Sequence, residues 1–154
     1  MARRPVKIEM NTDHIRQAIT AEQDTAFFLG GSVVADAVES RARAISRHVA
    51  DRVYVVTRKQ VKGKPHKKYA AEVSRRGGVI VSSSSPLTHL LELGTRPHTI
   101  PGPVRLPNGA VVTNVQHPGA AARPFVRPAL DESKEAATKA IGDALRQQLE
   151  ARLK

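Results

Sequence analysis

The chain of 154 residues has no cysteine and no tryptophan, and only two Tyr and three Phe. Without cysteine, disulfides and thiolate metal sites are excluded, which accords with assembly in a reducing cytoplasm. Aromatics make up 3% of the chain and hydrophobic residues 40%. The core is therefore expected to consist of Val, Ile, Leu and Ala, which bury less area per residue than large rings. That composition predicts a modestly stable subunit that gains rigidity from its neighbours. No apolar run approaches the roughly 20 residues a membrane helix requires, so no membrane partner is expected. Met1-Ala2-Arg3-Arg4-Pro5 is basic, but no apolar stretch follows it, so no secretory signal is expected either.

Acidic residues are scarce: 14 against 25 Lys and Arg, for a net charge of +11. The excess is local. Between Arg41 and Arg76 stand seven Arg and five Lys, with only Asp51 and Glu72 opposing them, a net charge of +10. Such a field attracts polyanions, DNA foremost; a solvated basic surface that keeps the chain soluble explains the same composition. Only Tyr54 and Tyr69 lie in this stretch, which argues against single-strand binding by base stacking.

The periodicity predicts an α+β domain: N-terminal helices, a small antiparallel sheet of three to four strands, and a long C-terminal helix packed on that sheet. Residues 1–10 read as an N-terminal arm or edge strand. Asn11 or Thr12 is suited to cap a first helix, and Gly30-Gly31 is expected to break or kink it. Val34, Val38, Ile45 and Val49 then keep helical spacing up to about Asp51. Val53–Thr57 is β-branched and aromatic, a strand by propensity. Residues 59–68 are too charged for a core and read as an exposed basic loop. Tyr69–Ser74 and Val79–Val81 are strands around a Gly77-Gly78 turn.

Further on, Ser85 and Pro86 open a short helix, Leu87 to Leu93, that Gly94 ends. Residues 95–124 form a Pro/Gly-rich loop region, with a hairpin turn at Pro107-Asn108-Gly109 between two short apolar runs. The final helix is expected to start near Pro128, with Asp131 and Glu132 in its first turn and Arg146, Arg152 and Lys154 toward its end. Ala137, Ile141, Leu145, Leu149 and Leu153 form a stripe along it. No internal repeat or domain boundary is evident, so 1–154 is expected to be one domain.

No catalytic, metal or cofactor site rises above background. His14, His48, His66 and His89 are scattered, without a second ligand at helical spacing. His98 and His117 lie near turns and are positioned to approach each other, in a structural role bonded to the backbone. Ser82–Ser85 lacks a nucleophile elbow, and no phosphate loop or paired acid/base carboxylates occur. No enzyme is expected.

Two segments are more informative. The first is Leu90-Leu91-Glu92-Leu93-Gly94-Thr95-Arg96-Pro97-His98-Thr99-Ile100-Pro101. The second is His117-Pro118-Gly119-Ala120, followed by Ala122-Arg123-Pro124-Phe125-Val126-Arg127-Pro128-Ala129-Leu130. Together they resemble the neck, or head–tail connector, family of long-tailed bacteriophages, whose members are often labelled minor tail components. In that family a short helix enters a Glu-aromatic-Gly-Thr turn. A His-Pro-Gly element follows, and a Pro-Phe-Leu-Arg-Pro-Ala run opens the last helix. Leu93 stands here for the aromatic and Val126 for the usual Leu. The motifs cover roughly the last two-fifths of the chain, and the element order extends the likeness to all of it.

The resemblance implies a structural virion protein of the neck, assembled in the host cytoplasm, that joins the DNA-filled head to the tail as a homo-oligomeric ring. Its implied partners are the adjacent head-closure or adaptor and tail-terminator proteins, together with genomic double-stranded DNA in the channel. The expected DNA-facing residues are Lys59, Lys62, Lys64, Lys67 and Lys68, which would meet phosphates without reading sequence. The expected structural or interface residues are Glu92, Gly94, Thr95, His117, Pro118, Gly119, Arg123, Pro124, Phe125, Arg127 and Pro128. Within them, Thr95 bonds back to the helix end, Phe125 anchors the core, and Arg123 and Arg127 bridge to Glu92 or to an adjacent subunit. A tail terminator or head-closure protein, and a sequence-nonspecific DNA-binding module, are the alternatives.

Overall fold

Helix α1 runs from Asp13 to Arg43 without interruption. Gly30-Gly31 therefore does not break it, contrary to the sequence expectation. Both glycines are buried, and their missing side chains are what allow the packing. A Cβ at Gly30 would stand 2.5 Å from Ile141 Cγ1 and 3.0 Å from the Ala137 carbonyl oxygen. One at Gly31 would stand 2.5 Å from Val79 Cγ2. The intrinsic cost of each glycine in a helix, about 1 kcal/mol relative to Ala, is offset by this close approach.

The computed structural model describes residues 13–57 and 77–152. The expected arm, the Asn11 or Thr12 cap, the basic loop and the Tyr69–Ser74 strand lie outside the described residues. After α1 come α2 (Arg47–Ala50), β1 (Val53–Val56), β2 (Ile80–Ser83), α3 (Thr88–Leu93), β3 (His98–Ile100), β4 (Val104–Arg105), β5 (Val111–Val112), β6 (Val115–His117) and α4 (Val126–Arg152). The α+β class is as the periodicity predicts. Instead of one sheet of three or four strands, however, the described strands form three two-stranded ladders: β1 with β2, β3 with β6, and β4 with β5. The last two are antiparallel. Pro97, Pro101, Pro103 and Pro118 remove backbone donors along this part of the chain, which discourages further strand addition.

The chain gathers into two compact units. One takes Met1–Ser32, Val55–Ile80 and Ala136–Lys154; the other takes Val33–Tyr54 and Val81–Glu135. Because each unit is assembled from separated segments, no linker composition marks a boundary in the sequence. In the first unit, Ala137 and Ile141 of α4 meet Gly30 of α1. In the second, Val38, Ala42, Val49, Ala50, Phe125 and Ala129 form a buried cluster flanked by Val34, Ala37, Ile45, Val53 and Leu91.

Helix α4 thus packs on α1 rather than on a sheet. Its buried positions are small, namely Ala129, Ser133, Ala137 and Ala144, and so are Ala26, Ala35 and Ala42 of α1. Small residues let two helix backbones approach closely, since the separation depends on the side chains at the contact. The expected four-residue stripe drifts off this face, because a step of four overshoots the 3.6-residue turn. Leu149 is accordingly 57% exposed, and Ala144 takes the buried place.

The basic stretch is partly neutralised where it is described. Arg41 binds Glu132, Arg43 binds Glu39 and Asp51, and Arg47 lies 3.7 Å from Asp51. Residues 58–76, outside the described part, hold eight Lys and Arg against Glu72 alone, a net charge of +7. Most of the positive excess therefore belongs to that segment.

Candidate functional site

The start of α4 carries an extensive polar arrangement among the described residues. A helix begins with four backbone N–H groups that have no intrahelical acceptor. Here Phe125 is the cap position, because its carbonyl accepts the first helical bond, from Ala129 N–H at 3.2 Å. The N–H groups of Phe125 and Val126 donate to Glu92 Oε2 at 2.7 and 2.9 Å, and that of Arg127 donates to Oε1 at 3.3 Å. The fourth position is Pro128, which has no N–H and is tolerated in a first turn for that reason. One carboxylate from α3, 33 residues earlier, thus satisfies every donor that needs a partner.

The sequence placed Asp131 and Glu132 in the first turn of this helix. It starts two residues earlier than expected, at Val126, and its first turn holds no acid. Glu92 supplies the negative charge that the helix dipole favours. Partial burial pushes the Glu92 carboxyl up, but the three backbone donors and the Arg127 charge outweigh it and hold it below the ordinary glutamate value. The expected Arg123–Glu92 bridge is not formed; the Glu92 carboxylate is bound by three backbone N–H groups. Arg123 instead donates its backbone N–H to the Leu91 carbonyl at 2.7 Å, and Arg127 acts on Glu92 through its charge.

A carboxyl depressed on folding stabilises the fold above its unfolded pKa, about 4.3. That contribution disappears as pH falls through the folded value. Replacing Glu92 with Gln should therefore lower stability at pH 7 by about 1–2 kcal/mol, the size of a lost helix cap. The wild-type and variant chains should converge in urea unfolding as pH drops below the carboxylate range. A difference unchanged between pH 7 and pH 3 would contradict a charged cap.

Next to this clamp the two motif segments cross. Thr95 N–H donates to the Ala120 carbonyl at 2.9 Å, and Ala120 N–H donates to the Thr95 carbonyl at 3.1 Å. Gly94 lies at φ 71°, ψ −178°, a region essentially confined to glycine. Gly119 lies at φ 83°. A Cβ at Gly94 would sit 2.6 Å from the Ala120 oxygen, and one at Gly119 would press on the Thr95 oxygen and sit 2.9 Å from the Arg96 carbonyl carbon. Thr95 does not bond back to the helix through its hydroxyl, as the sequence suggested. Its Oγ1 is buried without a partner, and its backbone makes the contact.

Beyond this crossing, the Pro/Gly-rich region forms an antiparallel hairpin around the expected turn, with pairing that extends further than the two short runs expected to flank it. It pairs His98 with His117, Thr99 with Gln116 and Ile100 with Val115, then Val104 with Val112 and Arg105 with Val111. Its tip turns at Pro107-Asn108-Gly109, where Gly109 N–H donates to the Leu106 carbonyl at 2.9 Å. None of its residues is buried.

The two histidines face each other across the ladder, with ring centroids 5.0 Å apart. His98 Nδ1 lies 2.9 Å from the Arg96 carbonyl, an acceptor, so this nitrogen carries its proton. His117 Nδ1 lies 3.0 Å from Gly119 N–H, a donor, so this nitrogen is the acceptor and the neutral ring is protonated at Nε2. The imidazoles tie the motif turns to the backbone. Among the described residues, no group of three or more His, Cys, Asp or Glu is placed to hold a metal ion.

Of the other expected residues, Phe125 is 1% exposed and lies in the core cluster. Pro118, Pro124, Arg123 and Arg127 are exposed, and Pro128 is half-buried. Lys59, Lys62, Lys64, Lys67 and Lys68 lie outside the described residues. What sequence reasoning missed is the cap made by Glu92. Its signal was a lone Glu before Gly-Thr, combined with a last helix whose own first turn lacks both an acid and a Ser or Thr cap.

The fold and site together define an α+β chain with a motif-built structural junction. No protein-family model matches the chain, and no curated protein or solved structure matches it.

Proposed function

We propose that this chain is a structural, non-enzymatic subunit of the neck of a tailed bacteriophage, one that joins head to tail as part of a ring. The observation that carries the reading is that both motif segments behind the resemblance are spent on one another. Glu92 caps the helix opened by Pro124-Phe125, and Gly94-Thr95 crosses Gly119-Ala120. Residues used in this way support architecture. Glu92 is held ionised and fully engaged, which suits it neither to general acid nor to general base work.

Among the described residues no helix is long and apolar enough to cross a membrane. The +7 segment at 58–76 favours DNA as a neighbour in the channel, met through phosphates rather than bases. The same segment supports the second reading, a sequence-nonspecific DNA-binding module. A tail terminator or head-closure protein remains the nearest alternative within the same particle.

Electron microscopy of particles made without this gene product distinguishes these readings. The expected result is DNA-filled heads and free tails that fail to join. Complete, infectious particles would overturn the neck reading and leave duplex binding by the basic segment as the leading function.

A further inference from the structure

Where the hairpin leaves the motif crossing, two imidazoles face each other. His98 of β3 and His117 of β6 are register partners, with ring centroids 5.0 Å apart and planes tilted by 31°. Each ring is bonded to backbone two residues away, but in opposite senses. His98 donates from Nδ1 to the Arg96 carbonyl, whereas His117 accepts at Nδ1 from Gly119 N–H at 3.0 Å. A His98 ring that takes up a proton keeps its bond, since both nitrogens then donate. A His117 ring that does so loses its bond, because Nδ1–H then confronts Gly119 N–H.

That loss bears directly on the crossing. Gly119 precedes Ala120, whose N–H and carbonyl both pair with Thr95, and the His117–Gly119 bond closes the turn that brings Ala120 there. No residue of the hairpin is buried, and a two-stranded hairpin is marginal without a covering layer. Few buried contacts therefore oppose its release.

The surroundings offer an imidazolium no counter-ion. Each ring faces the other, and two like charges at this separation repel. Arg96 and Arg123 stand on either side of the Thr95–Ala120 bridge. Residues 84–130, which include α3, the hairpin and the start of α4, contain one acidic side chain, Glu92. Its carboxylate is bound by the amides of Phe125, Val126 and Arg127, and the Arg127 charge acts on it as well. Among the described residues, neither imidazole makes an ion pair.

We propose that His98 and His117 form a pH-operated latch at the base of the hairpin. With both rings neutral, the crossing of the two motif segments is held closed. Proton uptake turns the His117 acceptor into a donor, sets two like charges across the ladder and releases the crossing. Imidazole is the side chain that changes charge between pH 5 and 8, so the latch is closed at the upper end of that interval and open at the lower. The Glu92 cap responds only in the carboxylate range, at lower pH, and stays in place while the latch opens. The latch does not depend on the neck reading.

The test is amide hydrogen exchange of the full chain at pH 8 and pH 5, the two ends of the imidazole range. Exchange is expressed as protection, which removes its intrinsic pH dependence. Protection at the Thr95, Gly119 and Ala120 amides and along β3 and β6 should fall by about tenfold at pH 5, the worth of one hydrogen bond. The helices α1 and α4 should keep theirs. His117→Asn retains an acceptor for the amide two residues on and takes up no proton, so its crossing should stay closed at both pH values. His98→Gln, which removes the second charge, should shrink the step, and Glu92→Gln should leave it unchanged. Nitrogen-15 spectra of the imidazoles need no variant: His117 should carry its proton on Nε2 at pH 8 and on both nitrogens at pH 5.

Equal protection at the two pH values overturns the proposal, as does an equal loss in the wild type and His117→Asn. So does a step that His98→Gln leaves undiminished, or one that vanishes in Glu92→Gln and so belongs to the cap. A neutral His117 protonated at Nδ1, or a loss of protection that spreads through α1 and α4, refutes it as well.

Discussion

Replacing Phe125 with Ala should destabilise the chain by about 3–5 kcal/mol, the range for deleting a buried phenyl ring. Phe125 is 1% exposed, and Val49 is the only other large side chain fully buried among the described residues. Its neighbours in the cluster are Val38, Ala42, Val49, Ala50 and Ala129. Alanines have no side-chain freedom with which to fill the space, so a cavity persists and adds to the lost transfer energy. The ring also follows directly on Pro124, where the chain enters α4, so its loss loosens the Glu92 cap on the same turn. For a chain of this size the loss corresponds to a fall in midpoint temperature of about 6–20 °C. Thermal unfolding followed by circular dichroism measures it. A shift of only a degree or two would mean that Phe125 does not anchor the second unit.

The second large effect is expected at the motif crossing. Gly94→Ala places a side chain at φ 71°, ψ −178°, a conformation that costs about 1–3 kcal/mol for a residue with a Cβ. That Cβ would also stand 2.6 Å from the Ala120 oxygen and 2.7 Å from the Ala122 nitrogen. Both are backbone atoms, so no side-chain rotation relieves the clash. Gly119→Ala meets the same obstacle from the other strand, against Thr95 and Arg96. The chain's way out is to open the hairpin, whose residues are not buried and therefore resist little.

The expected readout is faster hydrogen exchange at the Thr95 and Ala120 amides and along β3 and β6, in either variant. Because both substitutions break one bridge, their combined effect should be less than additive. Gly109→Ala is the control: it too has positive φ, at 84°, but a Cβ there meets nothing within 4 Å. If Gly94→Ala exchanged no faster than Gly109→Ala, the close crossing of the two motifs would be refuted.

These effects show how legible the chain was. The strand at Val53–Val56, the short helix ending at Gly94 and the turn at Pro107-Asn108-Gly109 are local events. Each is set by β-branching, by a glycine conformation or by a side chain's reach to its own backbone, so neighbours in sequence sufficed. The α+β class was legible for the same reason, as were the approach of His98 to His117 and the burial of Phe125. The failures share a different cause. Gly30-Gly31 looked like a break because a glycine pair has the same sequence signature whether it ends a helix or lets one pack closely. Only Ile141 and Val79, more than 100 and nearly 50 residues away, distinguish the two. The stripe of α4 followed a four-residue step, whereas the 3.6-residue turn leaves Leu149 exposed and Ala144 buried.

By itself, then, the sequence determined the α+β class and its locally encoded elements, the absence of cysteine thiols in these residues, and where positive charge accumulates. Tertiary structure alone decided that the described strands pair as three two-stranded ladders and that α4 lies on α1. It also decided that a glutamate 33 residues upstream, rather than the acids of the helix itself, caps its first turn. Local preferences depend on residues a few positions apart. The satisfaction of unpaired N–H groups and the fit of a missing Cβ depend on whichever distant atoms the folded chain brings within about 3 Å.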